Sequence, residues 1–375
     1  MKNDLLSRIQ SRAARIGIIG QGYVGLPLAL LFHEAGFEVT GFDVDPRKVK
    51  ALGKGESFIK HIGAERVAAA VKSGRYKATT DFDGLRDCDA IAICVPTPLG
   101  KHREPDNSYI HATGREIAKR LRKGQLVILE STTYPGTTDD ELRPILEASG
   151  LRCGPDFFLA FSPEREDPGR KDFDTRTTDK IVGGVDAAST ELAVALYHTG
   201  VAKVVPVSSA RVAESAKLLE NVFRSVNIAL VNELKTVFDR MDIDIWEVIE
   251  AAKTKPYGFQ AFYPGPGIGG HCIPLDPFYL EYIAKKFNFD LTMIHTAGHI
   301  DMLMPHRVTI KISTALNRHR KPVNGSRILF LGVAYKPDVD DERESPALKI
   351  MDIVAGKGGE VLYHDPFVAL SLIHI

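Results

Sequence analysis

The hexapeptide Gly20-Gln-Gly22-Tyr-Val-Gly25 is the feature that most constrains the fold of this chain. It follows an apolar run at residues 15–20, typical of a buried parallel strand, and precedes a helical pattern at residues 26–35. The first glycine permits a tight turn, the second lets the backbone approach a pyrophosphate, and the third allows close packing of helix on strand. The helix that begins here directs its free N–H groups at the phosphates. The pattern therefore predicts a dinucleotide-binding βαβ unit.

An acid at the end of the next predicted strand indicates which dinucleotide is bound. Asp43 ends the segment at residues 38–43, about 20 residues beyond the last glycine. A carboxylate there accepts hydrogen bonds from the adenosine ribose and repels a 2′-phosphate, which favours NAD over NADP. Arg47 and Lys48 follow closely and weaken that preference. The expected NAD contacts in this segment are Gly20, Gln21, Gly22, Tyr23, Val24, Gly25, Asp43 and Arg47.

Strand and helix patterns continue to alternate after this unit. Apolar runs at residues 90–95, 126–129 and 157–161 predict strands, and residues 107–122 predict a helix. Such alternation over about 200 residues predicts an α/β fold with a Rossmann-like, doubly wound parallel sheet.

A helical region follows the predicted sheet. Residues 209–241 contain no glycine or proline, which predicts one helix of about 30 residues, near 45 Å long, placed as a spine between domains. Shorter helices are expected at residues 243–253 and 277–287. Another is expected at residues 292–317, where Pro305 should kink or divide it.

The opening pattern returns near the end of the chain. Residues 326–332 repeat the pattern of residues 14–20, and residues 359–365 repeat that of residues 37–43, which predicts a second nucleotide-binding βαβ unit. The chain stops after one such unit, so we expect an incomplete C-terminal domain. The expected domains are an NAD-binding domain at residues 1–208, a central helical domain at 209–320, and a second nucleotide-binding domain at 321–375.

A loop rich in glycine and proline ends in a cysteine. Residues 265–277 hold four glycines and three prolines, a rigid composition whose backbone can approach a ligand closely. Cys272, followed four residues later by Asp276, is a candidate nucleophile beside an acid–base partner. The alternative is a buried cysteine that acts as a small hydrophobe.

One face of the long predicted helix carries polar residues at helical spacing. They are Glu214, Lys217, Asn221 and Ser225. The face predicts either a polar site directed inward or a solvated stripe on an interdomain helix. In the first case Lys217 can stabilise an oxyanion or relay a proton, since a desolvated lysine titrates nearer neutrality.

Charge and composition exclude several classes of protein. The 48 Lys and Arg residues balance 48 Asp and Glu residues, so nothing favours a nucleic-acid or anionic-membrane partner. No apolar stretch approaches the ~18 residues of a membrane span, and the polar residues 1–15 contain no apolar signal core, so we expect a cytoplasmic protein. The four cysteines lack metal-ligand spacing, so neither a metal nor a disulfide framework is expected.

Taken with further motifs, the chain resembles the UDP-glucose/GDP-mannose dehydrogenase family of NAD-dependent nucleotide-sugar 6-dehydrogenases. The motifs are the glycine hexapeptide, Val95-Pro-Thr-Pro98, Glu130-Ser-Thr132, Ser162-Pro-Glu164-Arg165, Lys217-Leu-Leu-Glu-Asn221-Val-Phe-Arg224, Gly269-Gly-His-Cys272, Tyr335-Lys336-Pro and Arg343-Glu-Ser. The resemblance implies a four-electron oxidation of a sugar C6 alcohol to a carboxylate with two NAD. It also implies a UDP-sugar substrate, with UDP bound by the domain at residues 321–375, and a homodimer formed through the domain at 209–320.

Ser162-Pro-Glu-Arg followed by Asp167-Pro-Gly169 is similar to the N-acetylhexosamine branch of this family. UDP-N-acetylglucosamine is the expected substrate, in a pathway to surface polysaccharide, with UDP-N-acetylmannosamine and UDP-glucose as alternatives. Leu275 stands where the UDP-glucose branch has a lysine, and Pro168 where that branch often has a second glutamate. These departures argue against UDP-glucose and leave open how the hydrolytic water is activated.

The resemblance also implies roles for individual residues. Cys272 adds to the aldehyde as a thiohemiacetal and is then acylated as a thioester. Lys217 and Asp276 transfer protons, and Asn221 holds the oxyanion. Thr132 and Glu164 position water and nicotinamide, Thr97 and Thr132 contact the cofactor, and the substrate contacts are Glu164, Arg165, Lys217, Asn221, Arg224, Gly269, Lys336 and Arg343.

Two other functions remain alternatives at this point. A two-electron dehydrogenase of the 6-phosphogluconate or hydroxyacid kind also has a long helix after a Rossmann domain, but it does not need Cys272 and Asp276 in a glycine-rich loop. A non-catalytic NAD-binding module follows if the expected incomplete C-terminal domain cannot bind UDP.

Overall fold

The structure is a computed structural model that describes residues 1–59, 62–100, 104–165, 175–270, 273 and 275–368. The chain divides into two compact units, Met1–Lys217 and Leu218–Ile375. The finer division into three domains at residues 208 and 320 stays a prediction.

The described part of the first unit contains one eight-stranded sheet. Its strands are β1 (Arg15–Ile19), β2 (Glu38–Phe42), β3 (Tyr76–Thr79), β4 (Ala90–Ile93), β5 (Leu126–Leu129), β6 (Phe158–Phe161), β7 (Lys180–Gly184) and β8 (Val204–Pro206). The order across the sheet is β3-β2-β1-β4-β5-β6-β7-β8. Strands β1 to β6 run parallel, whereas β7 pairs antiparallel with β6 and parallel with β8.

The helices of this unit cover both faces of the sheet. They are α1 (Lys2–Gln10), α2 (Gly25–Glu34), α3 (Pro46–Gly53), α4 (Ala64–Lys72), α5 (Ser108–Ala118), α6 (Arg143–Glu147) and α7 (Ala187–Tyr197), with a 3-10 turn at Phe82–Asp87 and a π-helical turn at Thr137–Leu142. Side chains of each strand alternate between two cores: Leu126 and Ile128 face α1, α2 and α7, whereas Val127 and Leu129 face α5 and α6.

The parallel sheet agrees with the expected doubly wound fold. Strand β1 lies between β2 and β4, so the chain reverses its winding direction there, and the crevice at the carboxyl ends of these strands is the usual ligand site of such a sheet. The strands expected near residues 15–20, 38–43, 90–95, 126–129 and 157–161 are all present. The sequence analysis did not identify β3, β7 or β8.

The second unit begins inside a long helix and is mainly helical. Helix α8 (Ala210–Phe238) contributes its first turns to the first unit and the rest to the second. The helices α9 (Ile245–Lys253), α10 (Asp276–Lys285) and α11 (Thr292–Arg318) follow. Helix α11 continues through Pro305, so this proline does not divide it, although its missing N–H removes one helical hydrogen bond.

A small parallel sheet closes the described chain. Strands β9 (Arg327–Leu331) and β10 (Glu360–His364) pair in parallel, and α12 (Pro346–Gly356) connects them. The second βαβ unit expected from the repeated pattern is therefore present. No helix in the described residues is both long and apolar enough to cross a bilayer.

Candidate active site

The glycine turn has the shape that a pyrophosphate requires. Gly20 has φ +89°, and a side chain there would overlap the carbonyl oxygen of Cys94. A side chain at Gly25, where α2 begins, would overlap the carbonyl oxygen of Gly20. Gly22 differs from both, because a Cβ there would meet no atom within 4 Å. The first and third glycines thus allow close packing, and the second leaves open space at the N-terminus of α2, which fits a dinucleotide.

Asp43 is held beside this turn. Its carboxylate is 6% exposed and accepts hydrogen bonds from the backbone N–H of Gln21 at 2.8 Å and of Asp45 at 2.9 Å. The ammonium of Lys48 lies 3.6 Å from it. This places an acid at the end of β2 next to the glycine turn, as the expected ribose contact requires.

The predicted contact Arg47 pairs with a different acid. Its guanidinium donates to both carboxylate oxygens of Asp45, at 3.1 and 3.0 Å, and these hydrogen bonds lower the pKa of Asp45 to about 2. Arg47 thus pairs with Asp45 and not with Asp43, whose neighbouring cation is Lys48. The contact of Arg47 with the cofactor stays a prediction, as do those of Tyr23, Val24 and Thr97.

Gln21 has a structural role that the sequence did not indicate. Its side chain is fully buried, donates to the carbonyl oxygen of Ile18 at 3.0 Å and accepts from the hydroxyl of Tyr76 at 2.8 Å. The amide thus joins β1 to β3 beneath the glycine turn. Any contact of Gln21 with the cofactor must be made by its backbone.

A buried cation lies at the carboxyl ends of β5 and β6. The ammonium of Lys180 lies 2.6 Å from the carboxylate of Glu130 and donates to the carbonyl oxygen of Pro163 at 3.1 Å. The hydroxyl of Tyr197 donates to the other oxygen of Glu130. Burial opposes charge on Lys180, but Glu130 and then Glu164 outweigh it and raise the lysine pKa. Sequence reasoning assigned no role to Lys180, which no motif marks.

Lys217 is brought against the segment that carries Glu164. Its side chain is 8% exposed, and the ammonium donates to the backbone carbonyl oxygen of Glu164 at 2.5 Å. One turn earlier on α8, the fully buried Glu214 accepts hydrogen bonds from the N–H groups of Gly136 at 2.6 Å and Thr138 at 2.9 Å. Burial raises the pKa of Glu214 to about 7.

The polar face of α8 is buried at all four predicted positions. Glu214, Lys217, Asn221 and Ser225 are each at most 8% exposed. This excludes the solvated stripe and supports the inward-facing alternative.

In the second unit, Asn221 contacts Asp276. The side-chain amide nitrogen of Asn221 donates to a carboxylate oxygen of Asp276 at 2.5 Å, and the two residues are 5% and 1% exposed. Asp276 is the first residue of α10. Two residues predicted to act together are therefore in direct contact, although 55 positions apart in the chain.

The glycine-rich loop is anchored by residues that sequence reasoning missed. Asn232 accepts a hydrogen bond from the N–H of Gly265 at 2.9 Å and donates to Asp301 at 3.0 Å. The second carboxylate oxygen of Asp301 is buried and has no hydrogen-bond partner among the described residues, and burial raises the pKa of this group to about 7. The signal available in the sequence was an asparagine among apolar residues of the long predicted helix.

The other predicted substrate residues of the second unit differ in packing and exposure. A side chain at Gly269 would come within 2.7 Å of Tyr335, so close packing alone explains this glycine. Arg343 is exposed and donates to both carboxylate oxygens of Asp341, at 2.7 and 2.5 Å. Arg224 is exposed on α8. Their roles toward substrate, with those of Arg165 and Lys336, stay predictions.

Cys272 lies outside the described residues, as do His271, Pro274 and the segment 166–174, which includes Asp167-Pro-Gly169. The described cysteines differ from a reactive thiol. Burial raises the pKa of Cys88 and of Cys153 to about 12, and that of Cys94 well above its usual value. Each is thus a neutral thiol near pH 7. Within the described ranges no three His, Cys, Asp or Glu residues cluster as metal ligands.

The sheet, the glycine turn and Asp43 define a Rossmann-type dinucleotide-binding protein. Residues 14–201 match the NAD binding domain of the UDP-glucose/GDP-mannose dehydrogenase family, residues 211–302 its central domain and residues 329–374 its UDP binding domain. The chain belongs to this family. It is an NAD-dependent nucleotide-sugar 6-dehydrogenase, which sets aside the non-catalytic module and the simple hydroxyacid dehydrogenase.

Curated relatives match almost the whole chain. The UDP-N-acetyl-D-mannosamine dehydrogenase of Pyrococcus horikoshii is 38% identical over 355 residues, which cover 94% of this chain and 84% of that protein. The UDP-N-acetyl-D-glucosamine 6-dehydrogenase of Pseudomonas aeruginosa is 35% identical over 357 residues, covering 95% and 83%. The solved structure of the P. horikoshii UDP-D-ManNAc dehydrogenase superposes with a TM-score of 0.89 at 37% identity, covering 95% of this chain and 84% of that one.

Proposed function

We propose that this enzyme oxidises the C6 hydroxyl of UDP-N-acetylglucosamine to the uronate, for use in surface polysaccharide synthesis. The Ser162-Pro-Glu-Arg and Asp167-Pro-Gly169 motifs support an N-acetylhexosamine, as do relatives named for UDP-N-acetyl-D-glucosamine and UDP-N-acetyl-D-mannosamine. UDP-N-acetylmannosamine is the second candidate substrate, and the relative named for it has the slightly higher identity.

The observation that carries the proposed C6 oxidation chemistry is the buried hydrogen bond between Asn221 and Asp276. Asp276 follows Cys272 by four residues. The hydrogen bond therefore holds Asp276, the proposed proton carrier, against Asn221, whose amide is expected to stabilise the oxyanion. Asn221 has two amide hydrogens, of which Asp276 takes one. The second is the donor we assign to the oxygen on C6.

The proposed chemistry proceeds in two oxidations and one hydrolysis. NAD, when bound, supplies the acceptor for one hydride in each oxidation. In the first, the C6 hydroxyl loses its proton and a hydride, which leaves an aldehyde. The Cys272 thiolate then forms a C–S bond with the aldehyde carbon, and the carbonyl oxygen takes a proton from Lys217.

The thiohemiacetal then returns this proton and loses the second hydride, which leaves a thioester on Cys272. Water attacks the thioester carbon, the C–S bond breaks and the sulfur leaves as thiolate. Lys217 and Asp276 carry the protons in these steps, and Thr132 and Glu164 hold the water and the nicotinamide. The balance is one alcohol, two NAD⁺ and one water giving one carboxylate, two NADH and three protons.

The test is NADH release measured in parallel with UDP-N-acetylglucosamine, UDP-N-acetylmannosamine, UDP-glucose and GDP-mannose. We expect the highest kcat/KM with UDP-N-acetylglucosamine and two NADH per uronate. A higher kcat/KM with the mannosamine epimer would correct the substrate. A ratio of one NADH per product would contradict the four-electron reaction.

We also propose that the enzyme is a cytoplasmic homodimer. Four apolar side chains of α8, 43–68% exposed, are spaced at four and seven residues and form one stripe: Leu219, Phe223, Leu230 and Val237. An exposed stripe of this kind is typical of a helix that packs on another chain. Light scattering of the wild type and of Leu230→Glu tests the proposed dimer. We expect the mass of a dimer for the wild type and of a monomer for Leu230→Glu. A monomeric wild type would contradict the proposal.

A further inference from the structure

The buried pair of Lys180 and Glu130 lies between the two loops that carry Thr132 and Glu164. We propose that Lys180 is a positioning residue, which fixes these two loops relative to one another so that water and nicotinamide are held correctly. This inference rests on the proposed function for the roles of Thr132 and Glu164.

One ammonium contacts both loops. Lys180 Nζ lies 2.6 Å from Glu130 Oε2, two residues before Thr132, and 3.1 Å from the carbonyl oxygen of Pro163, directly before Glu164. The antiparallel turn of β7 against β6 brings Lys180 to this edge, because Phe161 pairs with Gly183.

The surrounding contacts fix both partners of the ammonium. Tyr197 donates to the second oxygen of Glu130, and its ring centroid lies 5.1 Å from Lys180 Nζ. The hydroxyl of Ser162 donates to the carbonyl oxygen of Ile181 at 2.8 Å, which ties the start of the Glu164 loop to β7. Neither charged side chain has freedom to shift alone.

The Glu164 segment is held at two successive carbonyl groups. Lys180 binds the carbonyl oxygen of Pro163, and Lys217 binds that of Glu164 at 2.5 Å. A shift of this segment therefore also displaces the carbonyl against which the proposed proton carrier Lys217 is placed.

Stability alone does not explain such a pair. Lys180 and Glu130 are 3% and 0% exposed, and removing two charges from water offsets most of their attraction. Apolar side chains of similar size would fill the same space, often at no loss of stability. They could not form a directed bond to the Pro163 carbonyl, and that directed bond is what a positioning role requires.

The experiment compares three variants of the full chain, each assayed with the best nucleotide-sugar substrate of the wild type. Lys180→Met removes both contacts, Lys180→Arg keeps a cation, and Glu130→Leu/Lys180→Met/Tyr197→Phe replaces the buried polar network by apolar groups. We expect Lys180→Met to lower kcat about a hundredfold, with little change in the Kd for NAD or the KM for the sugar. Lys180→Arg should recover kcat to within about tenfold of the wild type.

The triple variant separates positioning from folding. We expect its thermal midpoint to recover relative to Lys180→Met while kcat stays low. Recovery of kcat together with stability would overturn the proposal, as would full kcat in Lys180→Met.

A matched control lies at the opposite ends of the strands, at the amino end of β4 in the same sheet. Asp89 is 2% exposed, precedes β4 and pairs with Arg8 and Arg122, each at 2.7 Å. Asp89→Asn should lower the thermal midpoint and leave kcat and KM unchanged. A fall in kcat in this variant would show that the loss of any buried charge affects turnover, and it would overturn the specific role of Lys180.

Failure of the proposed function would give a different result. A wild-type chain that oxidises no nucleotide sugar would contradict the proposed function itself.

Discussion

The amide nitrogen of Asn221 lies 2.5 Å from the carboxylate of Asp276, and both side chains are almost fully buried. Asn221→Leu should therefore lower kcat by about a hundredfold or more, the usual effect of removing one oxyanion donor. Ser225→Ala is the matched control, since Ser225 is buried one turn further along α8 and has no assigned role. Steady-state NADH release measures both, and equal losses of kcat would contradict the role of Asn221.

Cys272→Ser should abolish uronate formation and leave NAD binding nearly intact, because a serine hydroxyl is a much weaker nucleophile than a thiolate near pH 7. The control is Cys153→Ser, since the pKa of the Cys153 thiol is about 12 and it stays neutral. Product analysis and NAD titration are the measurements. Undiminished uronate production by Cys272→Ser would remove the covalent step.

Two glycines of the turn should respond differently to alanine. Gly22→Ala adds a methyl group to open space, so we expect an unchanged thermal midpoint and a Kd for NAD raised about tenfold or more, because the methyl group blocks the pyrophosphate. Gly25→Ala forces an overlap with the Gly20 carbonyl and should lower stability as well. Calorimetry and thermal unfolding of both variants test this; normal NAD binding by Gly22→Ala would contradict it.

Stability should fall as the pH rises through neutrality. Burial raises the pKa of Glu214 from 4.5 to about 7, so between these values the folded chain binds a proton that the unfolded chain has lost. Folding is then less favourable at higher pH, by about 1 kcal/mol between pH 6 and pH 8 for this group. Urea unfolding at both pH values measures it, and Glu214→Gln should reduce the difference. An identical pH dependence in that variant would show that other groups cause it.

Local physical rules made much of this protein predictable. The spacing of Gly20, Gly22 and Gly25 between a strand and a helix indicates a dinucleotide turn, because steric exclusion acts over only a few residues. Helix α8 follows from the absence of glycine and proline at residues 209–241 and from apolar residues that recur at helical spacing, since the helical period of 3.6 residues is a local property of the backbone.

The same reasoning could not find contacts that depend on chain reversals. Lys180 meets Glu130 across 50 positions, because β7 turns back against β6 and no local pattern marks that reversal. Gln21 was expected among the cofactor contacts, and nothing in its local sequence indicated that its side chain bonds to Tyr76 in the core. Pro305 left open whether the helix at residues 292–317 is kinked or divided, and only the structure shows that α11 continues through it.

Sequence alone determined the family, the NAD-binding turn and the residue types available for the oxidation, because these depend on short-range geometry and on side-chain chemistry. Tertiary structure alone decided that Asn221 contacts Asp276 and that Lys180 joins two loops. Such pairings arise when segments that are distant in the sequence pack together and exclude water. Each charged or polar group that is buried in this way then requires a specific partner.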